Sequence, residues 1–321
     1  MPRPFAALAS SGLAAVHTAT RPRSTGFRRG RRIRDHLCAA ALLFALVNHA
    51  NAIVIRHDVD DAAYRLEGAA FPALVDLPCE GHGVLIAPQW VVTAAHAIDW
   101  QTEIRTITLN GSPRQVETLI FHPGYKPLPQ ALIDAALKSG DATAVADFLS
   151  TSDDIALIKL AVPVADVEPV DIFFDSALGK TIRIVGKGAT GDGKTGHSPQ
   201  GPNRTELRQA FNIVTQSIGR WISYEFDAPP AALALEGTAG NGDSGGPLLI
   251  KHRGKWHVAG LTSWKRADGN PTTTYPGKYG QPSYAVRLAH YRTWISATIA
   301  AHPAAPDGPS TLPQTSSQAE H

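Results

Sequence analysis

The sequence predicts an all-β protein, and three observations carry that reading. Short apolar or alternating runs recur from residue 53 to residue 287, turns rich in Gly, Pro and Asp separate them, and no long helical periodicity precedes the C-terminus. The candidate strands are 83–86, 90–93, 104–109, 116–121, 155–160, 181–186, 206–213, 224–226, 247–250, 256–264 and 283–287. Two stretches depart from the β pattern. Residues 128–150 read as a helical insertion, with Gln130 to Lys138 as one helix, then Gly140 and a second helical stretch to Leu149. Leu288, Tyr291, Trp294, Ile295 and Ile299 recur at helical spacing, which predicts a C-terminal helix with one buried face.

Ahead of the β pattern lies a leader. Arg28, Arg29, Arg31, Arg32 and Arg34 precede an apolar run from Leu37 to Val47, and Ala50-Asn51-Ala52 supplies an A-x-A site. A basic segment, a short apolar stretch and small residues are the marks of a secretory signal peptide cut after Ala52. The apolar run is too short to span a bilayer, so no stable membrane anchor is expected after cleavage. The paired arginines also suggest twin-arginine export, but the rest of that motif is poor, and general secretion is expected. The mature protein is then secreted or periplasmic.

The leader also explains the charge. The whole chain of 321 residues has a formal net charge of +2, but residues 1–52 hold eight arginines and one acid, Asp35. Without them 22 basic residues face 27 acidic ones, a formal net of −5. No electrostatic case for nucleic-acid binding survives. Cys38 leaves with the leader and Cys79 stands alone, so no internal disulfide is expected. Cys79 reads as a small buried residue. The other histidines are scattered, without the spacing of a zinc site, and no metal or cofactor is expected. Gly186 to Gly191 only superficially suggests a phosphate loop.

The chemistry lies in three segments. Gly240-Asn241-Gly242-Asp243-Ser244-Gly245-Gly246-Pro247 places a serine among glycines, where the backbone turns tightly and the Gly242 and Ser244 N–H groups can aim at one developing oxyanion. A serine hydroxyl needs a base. Residues 83–96 read as strand, turn, strand and small residues ending on His96, and Asp154 immediately precedes an apolar strand. The chain order is His, Asp, Ser, with separations of 58 and 90 residues, so only a fold can unite them.

These segments resemble the trypsin/chymotrypsin family of serine proteases, whose pattern can be followed from about Ile53 to Ile299. The resemblance implies two six-stranded antiparallel β-barrels, chymotrypsin-like, with a C-terminal helix and a site in the cleft between them. It implies an N-terminal barrel over 53–170 carrying the insertion at about 128–150 and a C-terminal barrel with terminal helix over 171–301; the remainder, 302–321, rich in Pro, Ser, Gln and Thr with no apolar period, is expected to be a disordered tail. It further implies that His96 is general base and acid, that Asp154 orients it, and that Ser244 is the nucleophile of a serine endopeptidase. Animal members bracket the histidine with a disulfide; Ala97 forbids it here, as in many bacterial members. A protein or peptide substrate and a monomer are expected. The alternative is a non-catalytic binding protein on the same scaffold, although such relatives usually lose a triad residue and none is lost here.

Two further readings follow from the resemblance. Cleavage after Ala52 would free Ile53-Val54, whose ammonium would pair with Asp243 and order the oxyanion hole; the alternative is that these residues simply begin the first strand. Thr238 would lie at the base of the primary pocket, Ser263 and Trp264 would meet the substrate backbone, and Lys265 and Pro282 would replace glycines in the walls. Such a pocket disfavours cleavage after Lys or Arg and favours small uncharged side chains, with an acidic preference directed by Lys265 as the rival. The insertion is either a surface decoration or a lid beside the cleft.

Overall fold

A computed structural model describes residues 53–78, 80–99, 103–197, 206–266, 269–271, 273 and 275–303. The expected leader, Cys79 and the tail beyond residue 303 lie outside the described residues.

Strand β1 (Ile53–Ile55) precedes the first barrel, whose strands are β2 (Leu74–Asp76), β3 (His82–Ala87), β4 (Trp90–Thr93), β5 (Thr106–Leu109), β6 (Ser112–Phe121) and, beyond the insertion, β7 (Ala156–Leu160). They close in the order β2-β3-β4-β7-β6-β5 with antiparallel neighbours. Closure leaves no free sheet edge, and Val84, Leu85, Val91, Val92, Ile107, Leu157 and Ile158, from both faces of the sheet, are buried in one apolar cluster. The insertion is two helices, α1 (Gln130–Ser139) and α2 (Thr143–Ser150). Gly140 ends α1 in the left-handed region (φ +74°), its N–H bonded to the Ala136 carbonyl at 2.9 Å.

The second half contains β8 (Thr181–Gly186), β9 (Thr190–Asp192), β10 (Gly196–His197), β11 (Arg208–Ile218), β12 (Trp221–Glu225), β13 (Gly237–Thr238), β14 (Pro247–His252), β15 (Lys255–Lys265) and β16 (Pro282–Arg287), then α3 (Arg292–Ala301). A second closed barrel runs β11-β12-β16-β15-β14-β8, and a small sheet, β10-β9-β1-β13, flanks it. The fold is therefore two closed six-stranded barrels with a C-terminal helix. One apolar cluster crosses between the barrels, joining Val91 and Leu157 to Leu249, Leu261, Val286 and the α3 residue Ile295.

The strand expectations shift at their ends for identifiable reasons. β6 begins at Ser112 rather than 116, because exposed Pro113 and Gln115 still pair with Thr108 and Thr106. β12 begins at Trp221, three residues earlier than its pattern suggested. β1, β2, β9, β10 and β13 have two or three residues each, too short for any periodicity to register.

Candidate active site

β4 ends on Thr93, whose hydroxyl donates to the His82 carbonyl at 2.6 Å. Buried Ala94 and Ala95 carry the chain into a single turn, Ala95–Ala97, which projects His96 from the end of the first barrel. Asp154 stands just before β7, 5 % exposed. Its Oδ1 accepts the His96 backbone N–H at 2.8 Å, and its Oδ2 lies 2.7 Å from His96 Nδ1. Ser263, on β15, donates its hydroxyl to the same Oδ2. On the opposite edge of the ring, His96 Nε2 lies 2.8 Å from Ser244 Oγ.

Three segments from two barrels thus meet in one hydrogen-bonded line. Burial of the imidazole disfavours its charged form, but the Asp154 carboxylate outweighs this and holds His96 above its ordinary value. The arrangement can move a proton from a serine hydroxyl to an imidazole whose cation is stabilised from behind.

A family model described as Trypsin matches residues 64–295. The chain belongs to the trypsin family. Similar proteins include Transmembrane protease serine 11G of Mus musculus and of Rattus norvegicus, each 29% identical over 233 residues, covering 66% of this chain and 47% of the relative. The chain spans about half the length of these curated relatives. No helix among the described residues is long and apolar enough to cross a membrane.

Around the serine of this trypsin-family chain, the backbone is set by close packing. Gly245 has φ +74°, and a Cβ there would collide with the His82 carbonyl and Thr93 Oγ1. Only glycine fits between the nucleophile segment and β4. The Gly245 N–H is taken by the Thr262 carbonyl at 2.8 Å, whereas among the described residues neither Gly242 N–H nor Ser244 N–H has a protein acceptor. Gly242 has φ +83°.

Asp243 is 1 % exposed. Its oxygens accept the Gly188 and Gly240 N–H groups, each at 2.7 Å, and His82 Nε2 lies 3.9 Å from Oδ1. Ile53 is fully buried, beside Thr190 on β9, and Val54 pairs with Thr238 on β13. In this uncut chain the Ile53 nitrogen is an amide, and the pair with Asp243 is not made. Ile53 has φ +68°, which is strained for a β-branched residue.

The residues expected to line a pocket, Thr238, Ser263, Trp264, Lys265 and Pro282, lie on β13, β15 and β16. Thr238 is fully buried, and its hydroxyl lies 2.7 Å from that of Ser283. Ser283 is the cross-strand partner of Lys265, and Pro282 pairs outward with Glu225. Strand alternation from Pro282 was the signal that would have found it. The Ser263 side chain is turned to Asp154, to which its hydroxyl donates. Trp264 stacks on Tyr284 with ring centroids 3.9 Å apart and meets Trp221 edge-on. Trp221 Nε1 in turn donates to the Ser150 carbonyl at 2.9 Å, so the end of α2 is tied to the Trp264 wall.

Proposed function

We propose that this protein is a serine endopeptidase that cleaves peptide bonds through an acyl-enzyme on Ser244. The observation that supports it is the continuous line from Asp154 through His96 to Ser244, with contacts of 2.7 and 2.8 Å. In this reading Ser244 Oγ attacks the substrate carbonyl carbon as His96 Nε2 takes its proton. The oxyanion is received by the Gly242 and Ser244 N–H groups. Collapse breaks the C–N bond, and His96 returns the proton to the leaving amine. Water, deprotonated by the same imidazole, then releases the acid and restores Ser244.

The finer readings belong to the same proposal. The protein is an exported, bacterial-type member, read from the leader and from Ala97 in place of a cysteine. It is active as a monomer over two units, 53–170 and 171–301, and signal cleavage frees Ile53 to pair with Asp243. Its pocket, with a threonine base and walls narrowed by Lys265 and Pro282, disfavours Lys and Arg and takes small uncharged side chains unless the Lys265 ammonium redirects it to acidic ones. Labelling of the mature protein with a fluorophosphonate, read by intact mass beside Ser244→Ala, tests the proposal. One adduct that vanishes in the variant is expected. Folded protein carrying an authentic Ile53 terminus yet taking no adduct would favour a binding scaffold instead.

A further inference from the structure

Beside the expected pocket lies a cation that no carboxylate among the described residues pairs with directly. Lys265 closes β15 and turns its half-buried side chain inward, where Nζ donates to the Ala239 carbonyl at 2.6 Å. Ala239 follows Thr238, so the ammonium lies beside the residue expected at the pocket base. Among the described residues no carboxylate forms an ion pair with it. The charge that acts on it most from nearby is Asp243, whose two oxygens already accept backbone N–H groups. An ammonium offers three donors, and one carbonyl satisfies one of them.

The surroundings favour an anion. The hydroxyls of Thr238 and Ser283 are paired at 2.7 Å, and the buried Tyr224 phenol interacts with both and with the Ala239 backbone. Hydroxyls can donate to a carboxylate as readily as they accept. His197, 5 % exposed on β10, is close enough to feel the lysine charge, and its Nδ1 has no hydrogen-bond partner. Burial, reinforced by Lys265, pushes that imidazole down to about 4, so it adds no second cation near neutral pH. Burial likewise lowers Lys265, to about 8, with Asp243 partly restoring it, so the lysine is still mostly charged at pH 7. A desolvated, unpaired charge is costly, and the cost is recovered when a counter-charge enters.

Resting on the endopeptidase reading above, we propose that Lys265 is the specificity determinant of the pocket and that it selects substrates with a side-chain carboxylate, Asp or Glu, just before the scissile bond. The narrow walls agree with a short side chain; the ammonium replaces the uncharged preference with an acidic one. An arginine or lysine would meet like charge and no acid. A neutral side chain would leave the ammonium as unpaired as it is in the free protein.

The test uses mature protein and a peptide series identical except at that position, carrying Asp, Glu, Asn, Gln, Ala or Arg. Expected is a kcat/KM for Asp or Glu at least roughly tenfold above its own amide, since a site built for a polar group discriminates against an analogue that cannot pair with it. Lys265→Met should bring that acid-to-amide ratio to about one. Lys265→Glu should turn the preference towards Arg. If wild type takes the fluorophosphonate adduct but cleaves after Ala, Asn or Gln as fast as after the acids, this inference is overturned and the endopeptidase reading stands. If wild type takes no adduct, the endopeptidase reading itself falls. The wild-type ratio decides the matter even if a variant fails to fold.

Discussion

Asp153 and Asp154 are neighbours in the chain whose carboxylates serve different networks. Asp154 answers His96 and Ser263. Asp153 Oδ1 accepts Arg220 Nε at 2.6 Å and the Tyr291 hydroxyl at 2.9 Å, and Oδ2 lies 3.4 Å from His122 Nδ1. Arg220 sits in the turn between β11 and β12, and Tyr291 leads into α3. One residue therefore anchors the second barrel and the C-terminal segment, and the next orients the base.

Asp153→Asn should consequently cost both stability and activity. Losing the charge while Arg220 remains is expected to cost about 1–3 kcal/mol. Burial tends to raise the Asp153 carboxyl, but bonds from Arg220 and Tyr291 outweigh it and hold it below its ordinary value. Its contribution is then fully present above about pH 4 and fades as pH falls through the lower folded value. Thermal unfolding and kcat measured on one preparation check this; an unchanged melting temperature would count against it.

A second ion pair is deeper. Arg208 is fully buried, with Nε and Nη2 at 2.8 and 2.9 Å from the two oxygens of Asp61. Asp61→Ala leaves the guanidinium without its main anion and should destabilise the fold by about 3–5 kcal/mol. Burial opposes ionisation of Asp61, yet Arg208 and Arg65 win and keep its carboxyl low. The destabilisation measured by urea unfolding should therefore shrink as pH falls below about 4.

The pH profile should have two limbs of separate origin. His96 must lose its proton to act as base, and Asp154 holds it above its ordinary value, so kcat/KM should rise with a midpoint above about 6.5. On an acidic substrate the profile should fall again near 8, as Lys265 loses its charge. Asp243 and His197 are the titratable partners that face it. With the matching amide substrate the alkaline limb should disappear. Activity persisting at pH 4 would contradict His96 as base.

Replacing the nucleophile gives the largest effect. Ser244→Ala or His96→Ala should each lower kcat by about 10⁴-fold or more, with no additivity between them, because they act as one unit. Burst kinetics with an ester substrate would show whether the acyl-enzyme accumulates.

The terminus offers a test of maturation. A protein beginning at Ile53 should be active, and one with a single added residue before it should lose most of that activity. Asp243→Asn should match the extended form. Equal activity of the extended form would mean that Ile53 and Val54 merely begin β1.

Much of the site was legible because its residues announce themselves locally. His96 follows a strand by three residues, Asp154 precedes one by two, and Ser244 lies among glycines, so order and context brought them forward as candidates. What was hidden depends on register. Ser283 meets Thr238 because it pairs with Lys265 on one side and Tyr224 on the other, a cross-strand register with no local sign, and side chains alternate by two. The tie from Ser150 through Trp221 to Trp264 links segments 71 residues apart and has no local signature. Barrel closure depended on β2, three residues between prolines, which no window of alternation could detect.

His96 and Asp154 belong to the first barrel and Ser244 to the second, so the contact between imidazole and hydroxyl also gauges how well the two halves are docked. Neither half carries a complete relay. Two separately produced fragments, cut between β7 and β8, would each be silent, and any turnover on mixing would count reassembled molecules one by one.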